Sequence, residues 1–166
     1  EVRQIVDDAS AISSYTARGR VPYLGASITD PADTYPYVII THSTFETTFQ
    51  TLADHRSAMG LRTKIVRTGT INTQYTGIDT QDRIRNFIKD AVTNWGTVFV
   101  LLGGDPHLVP IRVIEVPEMV SEVGRSDMPT DLYYTNLDGN WNADNDAAVG
   151  EYLGGNPDGV DLIPDV

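Results

Sequence analysis

Two short apolar runs set the terms on which this chain can fold. YVIIT, from Tyr37 to Thr41, and VFVLL, from Val98 to Leu102, show no polar alternation. A strand of that kind is buried on both faces, so helices must cover the sheet above and below. The sequence between the runs supplies them. Ser43 with Glu46 three residues later reads as a capping box opening a helix. Phe45, Phe49, Leu52, Ala53 and Met59 give that helix an apolar stripe, and Gly60 ends it. Arg62 to Val66 reads as a second strand and Thr68 to Asp79 as a loop. Asp79 or Thr80 then caps a second helix, in which Ile84, Phe87, Ile88, Ala91, Val92 and Trp95 fall at spacings of three and four before Gly96. Strand–helix–strand–helix–strand in this order predicts an α/β fold: a mainly parallel sheet flanked by helices and joined by right-handed crossovers.

The flanks are less regular. Residues 1–36 hold a possible short helix over Val2, Ile5, Val6, Ala9 and Ile12, then Gly19, Pro22, Gly25, Pro31 and Pro36. Such punctuation predicts an extended lead-in lying on the outside of the domain. The α/β unit proper is expected over residues 37–166. Within it, Ile111 to Val116 reads as a fourth strand, and a loop to Thr130 leads to a short strand at Leu132, Tyr133 and Tyr134.

At 166 residues the chain is long enough for one cored domain. Its net charge of −11 argues against nucleic acid and anionic membrane as partners, since both require a basic face. It contains no cysteine, hence no disulfide, thiolate metal site or thiol nucleophile within these residues. It opens on Glu1 without a recognisable signal peptide, which reads as a processed or truncated start.

The charge is not evenly spread. All 12 lysines and arginines lie at or before Arg125, which leaves that part near −2 and the remainder at −9. In the acidic part, an oxygen-bearing side chain stands at every second position: Asn136, Asp138, Asn140, Asn142, Asp144 and Asp146, with Glu151 beyond. Asn and Asp favour turns, so a solvated acidic turn is the plain reading. Alternation over residues 136–151 also suits a hard cation, because Ca²⁺ takes six to eight oxygen ligands. Asn140, Asn142, Asp144 and Glu151 match positions 1, 3, 5 and 12 of a helix–loop–helix calcium loop, but Asn145 stands where glycine belongs and no helix precedes. The candidate is therefore an irregular Ca²⁺ loop with Asp138, Asn140, Asn142, Asp144, Asp146 and Glu151 as ligands; Asp105 and Asp131 are secondary candidates.

Ligands of parallel sheets bind at the carboxyl ends of the strands. Thr41-His42-Ser43 lies there, but Ser43 is wanted as a helix cap, and sequence neighbours rarely form a nucleophile–base pair. Gly103-Gly104-Asp105-Pro106-His107 also lies there, without a Walker lysine or dinucleotide spacing. Asp105 reads first as a turn residue. Asp79 and Asp82 suit a helix N-terminus without further function. His55 reads as an exposed helical residue. No catalytic set emerges from these residues.

Four strings together resemble the gingipain-type family of cysteine peptidases: YVIITHSTF, YTGIDTQDRIRNFIKDAVTNWG, VFVLLGGDPHLVPIR, and DLYYTNLDGNWNADNDAAVGE followed by DLIPDV. The resemblance covers residues 37–166. It implies one half of a caspase-like, two-subdomain architecture: the amino-terminal, non-catalytic subdomain of a secreted, calcium-stabilised cysteine endopeptidase. In the family, the catalytic His sits in a Gly-His-Gly turn and the Cys follows the next strand. This chain has neither, so no catalytic residue is carried over, and the chain alone is expected to be inactive. The implied partners are the carboxyl-terminal catalytic subdomain and, through it, a protein or peptide substrate. The implied location is extracellular or at the cell surface. Half of a two-sheet domain should also leave one apolar edge or face uncovered.

Two other functions remain open from sequence. One is a stand-alone flavodoxin-like module holding a small anionic ligand at Ser43 and Gly103-Gly104. The other is a metal-dependent hydrolase or phosphoacceptor domain using Asp105.

Overall fold

A computed structural model describes residues 27–116, 126–139, 141–142 and 149–150. Three parallel strands form the main sheet: β1 (Tyr37–Thr41), β2 (Thr63–Arg67) and β3 (Phe99–Gly103), in the order β2-β1-β3. The register pairs Ile39 with Ile65 on one side and with Leu101 on the other. The chain leaves central β1 outward to β2, then crosses back over β1 to β3. The direction of winding thus reverses between β1 and β3. Helices α1 (Glu46–Ala58) and α3 (Thr80–Trp95) make the two crossovers, so the α/β class expected above is the one observed.

Most of the apolar burial lies on one face. Val38 and Ile40 point into a cluster with Ile84, Phe87, Ile88, Ala91, Val92 and Trp95 of α3. The three-and-four spacing does this: it puts every apolar residue of α3 on the sheet side. Asp79 caps α3 by accepting from the Asp82 N–H (2.8 Å), and Gly96 closes it in the left-handed region at φ +66°.

Helix α1 departs from expectation at its start and along its stripe, while Gly60 ends it as expected. Ser43 does not cap it. The His42 Nδ1 accepts from the Thr44 N–H (3.3 Å), a 3₁₀ turn over Ser43–Phe45 precedes the helix, and Glu46 reaches sideways to Arg67 (3.0 Å). The imidazole does the hydroxyl's work because the chain turns one residue earlier than a capping box requires. Gly60, at φ +92°, completes the other end: the Leu61 N–H bonds the Arg56 carbonyl and the Gly60 N–H bonds the Ser57 carbonyl, both at 3.0 Å. Of the anticipated stripe only Ala53 is buried, while Phe45 and Met59 are exposed. α1 lies mainly over β2 and β1 and reaches the end of β3 through the Phe49 ring at Gly103.

Two further corrections concern short elements. Thr68–Gln74, expected as loop, is a helix (α2). Its apolar contacts come from Thr68, Ile71 and Tyr75, a helical spacing hidden by the Thr, Gly and Asn between them. β4 (Arg112–Val116) pairs antiparallel with β5 (Ser126–Thr130), and Leu132–Thr135 is a helical turn (α4), not a strand. Adjacent residues of a strand point to opposite faces. The helical turn instead lets Tyr133 and Tyr134 both be buried.

Residues 27–36 are held on α3. Ser27 donates to the Asp90 Oδ2, Asn94 bridges the Asp90 Oδ1 and the Thr29 hydroxyl at 2.7 Å each, and the Tyr35 ring meets Trp95 edge-on at 5.0 Å. The helix of the lead-in anticipated at Val2 to Ile12 lies outside the described residues.

Candidate functional site

The acidic loop is gripped from below by an arginine. Arg85, on the buried side of α3, donates from Nε to the Asn136 carbonyl (2.6 Å) and from Nη2 to the Asn136 Oδ1 (3.1 Å) and the Gly139 carbonyl. The Gly139 N–H donates to the same Asn136 Oδ1 at 3.1 Å. Arg85 is only 2% exposed. Its described partners are neutral oxygens and the ring of Tyr133, whose centroid lies 4.8 Å from the guanidinium carbon. The first member of the oxygen alternation, Asn136, is therefore turned inward onto a protein cation.

Tyr133 joins this grip to a second cation. Arg112 lies 4.2 Å from the Tyr133 centroid and holds Asp79 through a fork, Nη1 to Oδ2 at 2.7 Å and Nη2 to Oδ1 at 3.1 Å. Planar, two-point pairing of this kind is specific to arginine. Burial works to lower the Arg112 pKa, but the Asp79 hydrogen bonds, the charges of Tyr133 and Asp79 and the Tyr133 hydrogen bond together outweigh it, and the net direction is upward. The Tyr133 hydroxyl donates to the Asp82 Oδ1 (3.2 Å), and Tyr134 donates to the Pro110 carbonyl. Burial, reinforced for Tyr133 by the Asp82 charge, holds both phenols above their ordinary range. Asp79 and Asp82 thus do more than favour a helix dipole: they anchor the platform beneath the loop.

The neck of the loop is closed by Trp141 and Gly150. The Gly150 N–H donates to the Trp141 carbonyl at 2.7 Å, and the Trp141 ring stacks edge-on to Tyr133 at 5.4 Å. Gly150 sits at φ +78°, and a Cβ there would stand 2.9 Å from Ile114 and 3.0 Å from the Trp141 ring. Any side chain here would be strained by the backbone and would have to displace Ile114.

Of the proposed metal ligands, Asp138 and Asn142 lie at this neck. Asn140, Asp144, Asp146 and Glu151 lie outside the described residues. Among the described residues no three His, Asp or Glu side chains come together to hold a metal ion. The carboxylate and amide oxygens of Asp138 and Asn142 are hard donors of the kind Ca²⁺ takes.

The strand ends are built mainly for packing and turns. The position a Cβ would take at Gly103 is filled by the Phe49 ring at 2.6 Å, and Gly104 abuts Leu108 and Val109. These glycines are small for their neighbours' sake. The Thr41 hydroxyl donates to the Gly103 carbonyl (2.5 Å), tying β1 to β3 at that end. The Asp105 Oδ1 accepts from the His107 N–H (2.8 Å), the turn role anticipated for it. Ser43 is exposed, and His42 is engaged with Thr44, so the two form no nucleophile–base pair.

The model of peptidase family C25, the gingipain family, matches residues 30–166. The chain belongs to that family. No curated protein and no solved structure matches it. The family assignment agrees with the resemblance seen in the sequence and extends it seven residues toward the amino terminus. A parallel sheet flanked by helices is consistent with half of a caspase-like domain. The C25 assignment makes this a region of a cysteine peptidase, with protein as the implied substrate.

Sequence reasoning passed over the arginine–tyrosine platform of this C25 chain. The signal was present: Arg85 interrupts an apolar face between Ile84 and Ile88, and Asp90 sits between Phe87 and Ala91. Charged residues on the buried stripe of a helix must have dedicated partners. Asp90 meets that demand with the Tyr75 hydroxyl (2.5 Å), Ser27 and Asn94.

Proposed function

We propose that this chain is the amino-terminal, non-catalytic part of a secreted, calcium-stabilised cysteine peptidase. The observation that carries the reading is the C25 match over residues 30–166 in a stretch with no cysteine. A thiolate and a base are both indispensable to this chemistry. His42 is spent on the turn after β1 and His107 stands in an exposed turn after β3, so neither faces a nucleophile. The catalytic pair belongs to another part of the enzyme, and this part braces it.

Calcium enters the proposal through the acidic loop. Asp138, Asn140, Asn142, Asp144, Asp146 and Glu151 offer the right donor chemistry, and Ca²⁺ would neutralise the −9 that lies beyond Arg125. Arg85 and the Trp141–Gly150 neck would hold the loop's base in place beneath such an ion.

Two measurements test the reading. Fluorogenic peptide substrates should not be turned over by this chain. Turnover that survives iodoacetamide would oppose the proposal, since no thiol is there to alkylate. Thermal unfolding in chelator and then in Ca²⁺ tests the second half. A cation that binds only the folded state at 100 times its Kd stabilises by about 2.7 kcal/mol, a rise of roughly 5–10 °C. Asp144→Ala should abolish the rise. Identical melting in chelator and Ca²⁺ would leave the loop a solvated turn.

A further inference from the structure

The winding of the main sheet reverses between β1 and β3, and ligands of open parallel sheets bind in the crevice outside the carboxyl ends at such a point. A cavity of about 390 Å³ lies there. Three strand exits meet in its wall: His42 follows β1, Thr68 and Asn72 follow β2, and His107 stands in the loop after β3. His42 and Gly69 also line a neighbouring cavity of about 290 Å³. A second sheet set beside this one would meet it along a strand, whereas this crevice opens at the strand ends.

Among the described residues, the wall of the larger cavity carries no carboxylate, ammonium or guanidinium. Two of its polar atoms are unused. The turn after β1 takes only Nδ1 of His42, which accepts from the Thr44 N–H at 3.3 Å and has the Thr44 hydroxyl at 2.8 Å. An imidazole that accepts at Nδ1 carries its proton on Nε2, and this N–H has no partner among the described residues. Asn72 offers the opposite. Its Oδ1 is closed off from water and accepts no hydrogen bond. Such an oxygen lowers stability until a donor reaches it. Asn72 as a whole is only partly buried, so a turn about its side-chain bonds carries that oxygen to the cavity. Gln81 is already committed, its Nε2 donating to the Ile111 carbonyl at 3.1 Å.

One unused donor beside one unused acceptor selects the class of ligand. A phosphate or carboxylate brings acceptors only and leaves Asn72 unmet. A metal ion cannot take a nitrogen that carries a proton. A peptide group brings a carbonyl for the one and an N–H for the other. We propose that this crevice holds an uncharged peptide group of a polypeptide, its carbonyl on the His42 Nε2–H and its N–H on the Asn72 Oδ1. The inference deepens the function proposed above and rests on it in one respect, that the polypeptide is the substrate. The non-catalytic part then holds substrate as well as bracing the catalytic part.

The test follows the amide NMR spectrum of the full chain during titration with acetyl-Ala-Ala-Ala-amide. Its comparison ligand is the all-ester analogue built from lactic acid, which keeps the carbonyls and lacks every N–H. The peptide should shift the Asn72 side-chain amide and the backbone amides of Gly69 and Leu108. The ester should bind about two- to tenfold more weakly, as one neutral hydrogen bond allows. A Cβ at Gly69 would meet nothing within 4 Å. Gly69→Leu therefore places a side chain in open space, and it should abolish the shifts while leaving the fold unchanged by circular dichroism. Asn72→Ala should weaken the peptide to the level of the ester. It should also raise the thermal midpoint, since it deletes an orphaned oxygen and improves α2 as a helix. Equal binding of the ester, binding that survives Gly69→Leu, or a lower midpoint in Asn72→Ala overturns the proposal. So does saturation of the same resonances by inorganic phosphate or Zn²⁺ ahead of the peptide, which assigns the crevice to an ion. No shift with millimolar peptide also overturns it, and leaves membership of family C25 and the lack of turnover standing. Turnover of fluorogenic peptides by this chain would instead sink the non-catalytic reading and leave binding in the crevice intact.

Discussion

Replacing Arg85 by methionine isolates the grip beneath the acidic loop. Methionine fills nearly the same volume and keeps the apolar stem of the side chain, while deleting the guanidinium. The change removes three hydrogen bonds, two to Asn136 and one to the Gly139 carbonyl. Hydrogen bonds to a charged group contribute about 1.5–3 kcal/mol each, which gives a gross loss of roughly 4–9 kcal/mol. The cation–π contact with Tyr133 adds about 1–2 kcal/mol. Against this stands the desolvation of a guanidinium that is 2% exposed, several kcal/mol that the variant no longer bears. The net expectation is a loss of about 3 kcal/mol, because the buried Asn136 carbonyl and the part-buried Gly139 carbonyl lose the donor that Arg85 supplies. Urea unfolding followed by tryptophan fluorescence measures it directly. The midpoint should fall while the slope holds, marking a stability change rather than a change in the unfolded state. Arg85→Lys should cost less, about 2 kcal/mol, since an ammonium keeps the charge but cannot reproduce the fork. Asn136→Ala should be non-additive with Arg85→Met, with a coupling of at least about 1 kcal/mol. If Arg85→Met unfolds within about 0.5 kcal/mol of the parent, desolvation cancels the bonds and the arginine is not what holds the loop.

Two further outcomes follow from the packing. Tyr75, Tyr133 and Tyr134 are all raised by burial, with Asp90 adding for Tyr75. A phenol raised in the folded state contributes stability that is fully present below the unfolded value, near 10, and is lost as pH rises through the folded one. Of the eight tyrosines, these three should therefore add their tyrosinate absorbance near 295 nm only together with unfolding in an alkaline titration, and their ionisation ahead of unfolding would contradict their burial. Gly103→Ala should cost about 1–3 kcal/mol in urea, because the new methyl meets the Phe49 ring at 2.6 Å, and Phe49→Leu in the same chain should recover most of it.

Much of the architecture was legible without coordinates. YVIIT and VFVLL, the periodic face of α3, and the glycines at 60 and 96 each state a local preference strong enough to survive folding. All of them correspond to observed elements, to within a residue or so. The misreadings fall where local preference is weak. Ser43 offered a cap, but His42 lies one residue nearer the turn and took the role. Tyr133-Tyr134 has strand propensity, yet both rings needed one face, and a helical turn is the conformation that provides it. The stripe on α1 was real in sequence but only partly covered, because that helix lies mainly over β2 and β1 and touches β3 only near Gly103 among the described residues.

The functional residues divide in the same way. Family membership, the lack of a cysteine and the alternating oxygens of residues 136–151 belong to the linear sequence, since motif, composition and spacing survive in one dimension. The partners of those residues do not. Arg85 and Asn136 are 51 positions apart, and Arg112 and Asp79 are 33 apart. No periodicity links such pairs; only the crossover that lays α3 beneath the loop brings them within reach. The place of β3 in the sheet is likewise a tertiary fact. VFVLL reads as a strand needing cover on both faces, and only pairing decides that its neighbour among the described strands is β1.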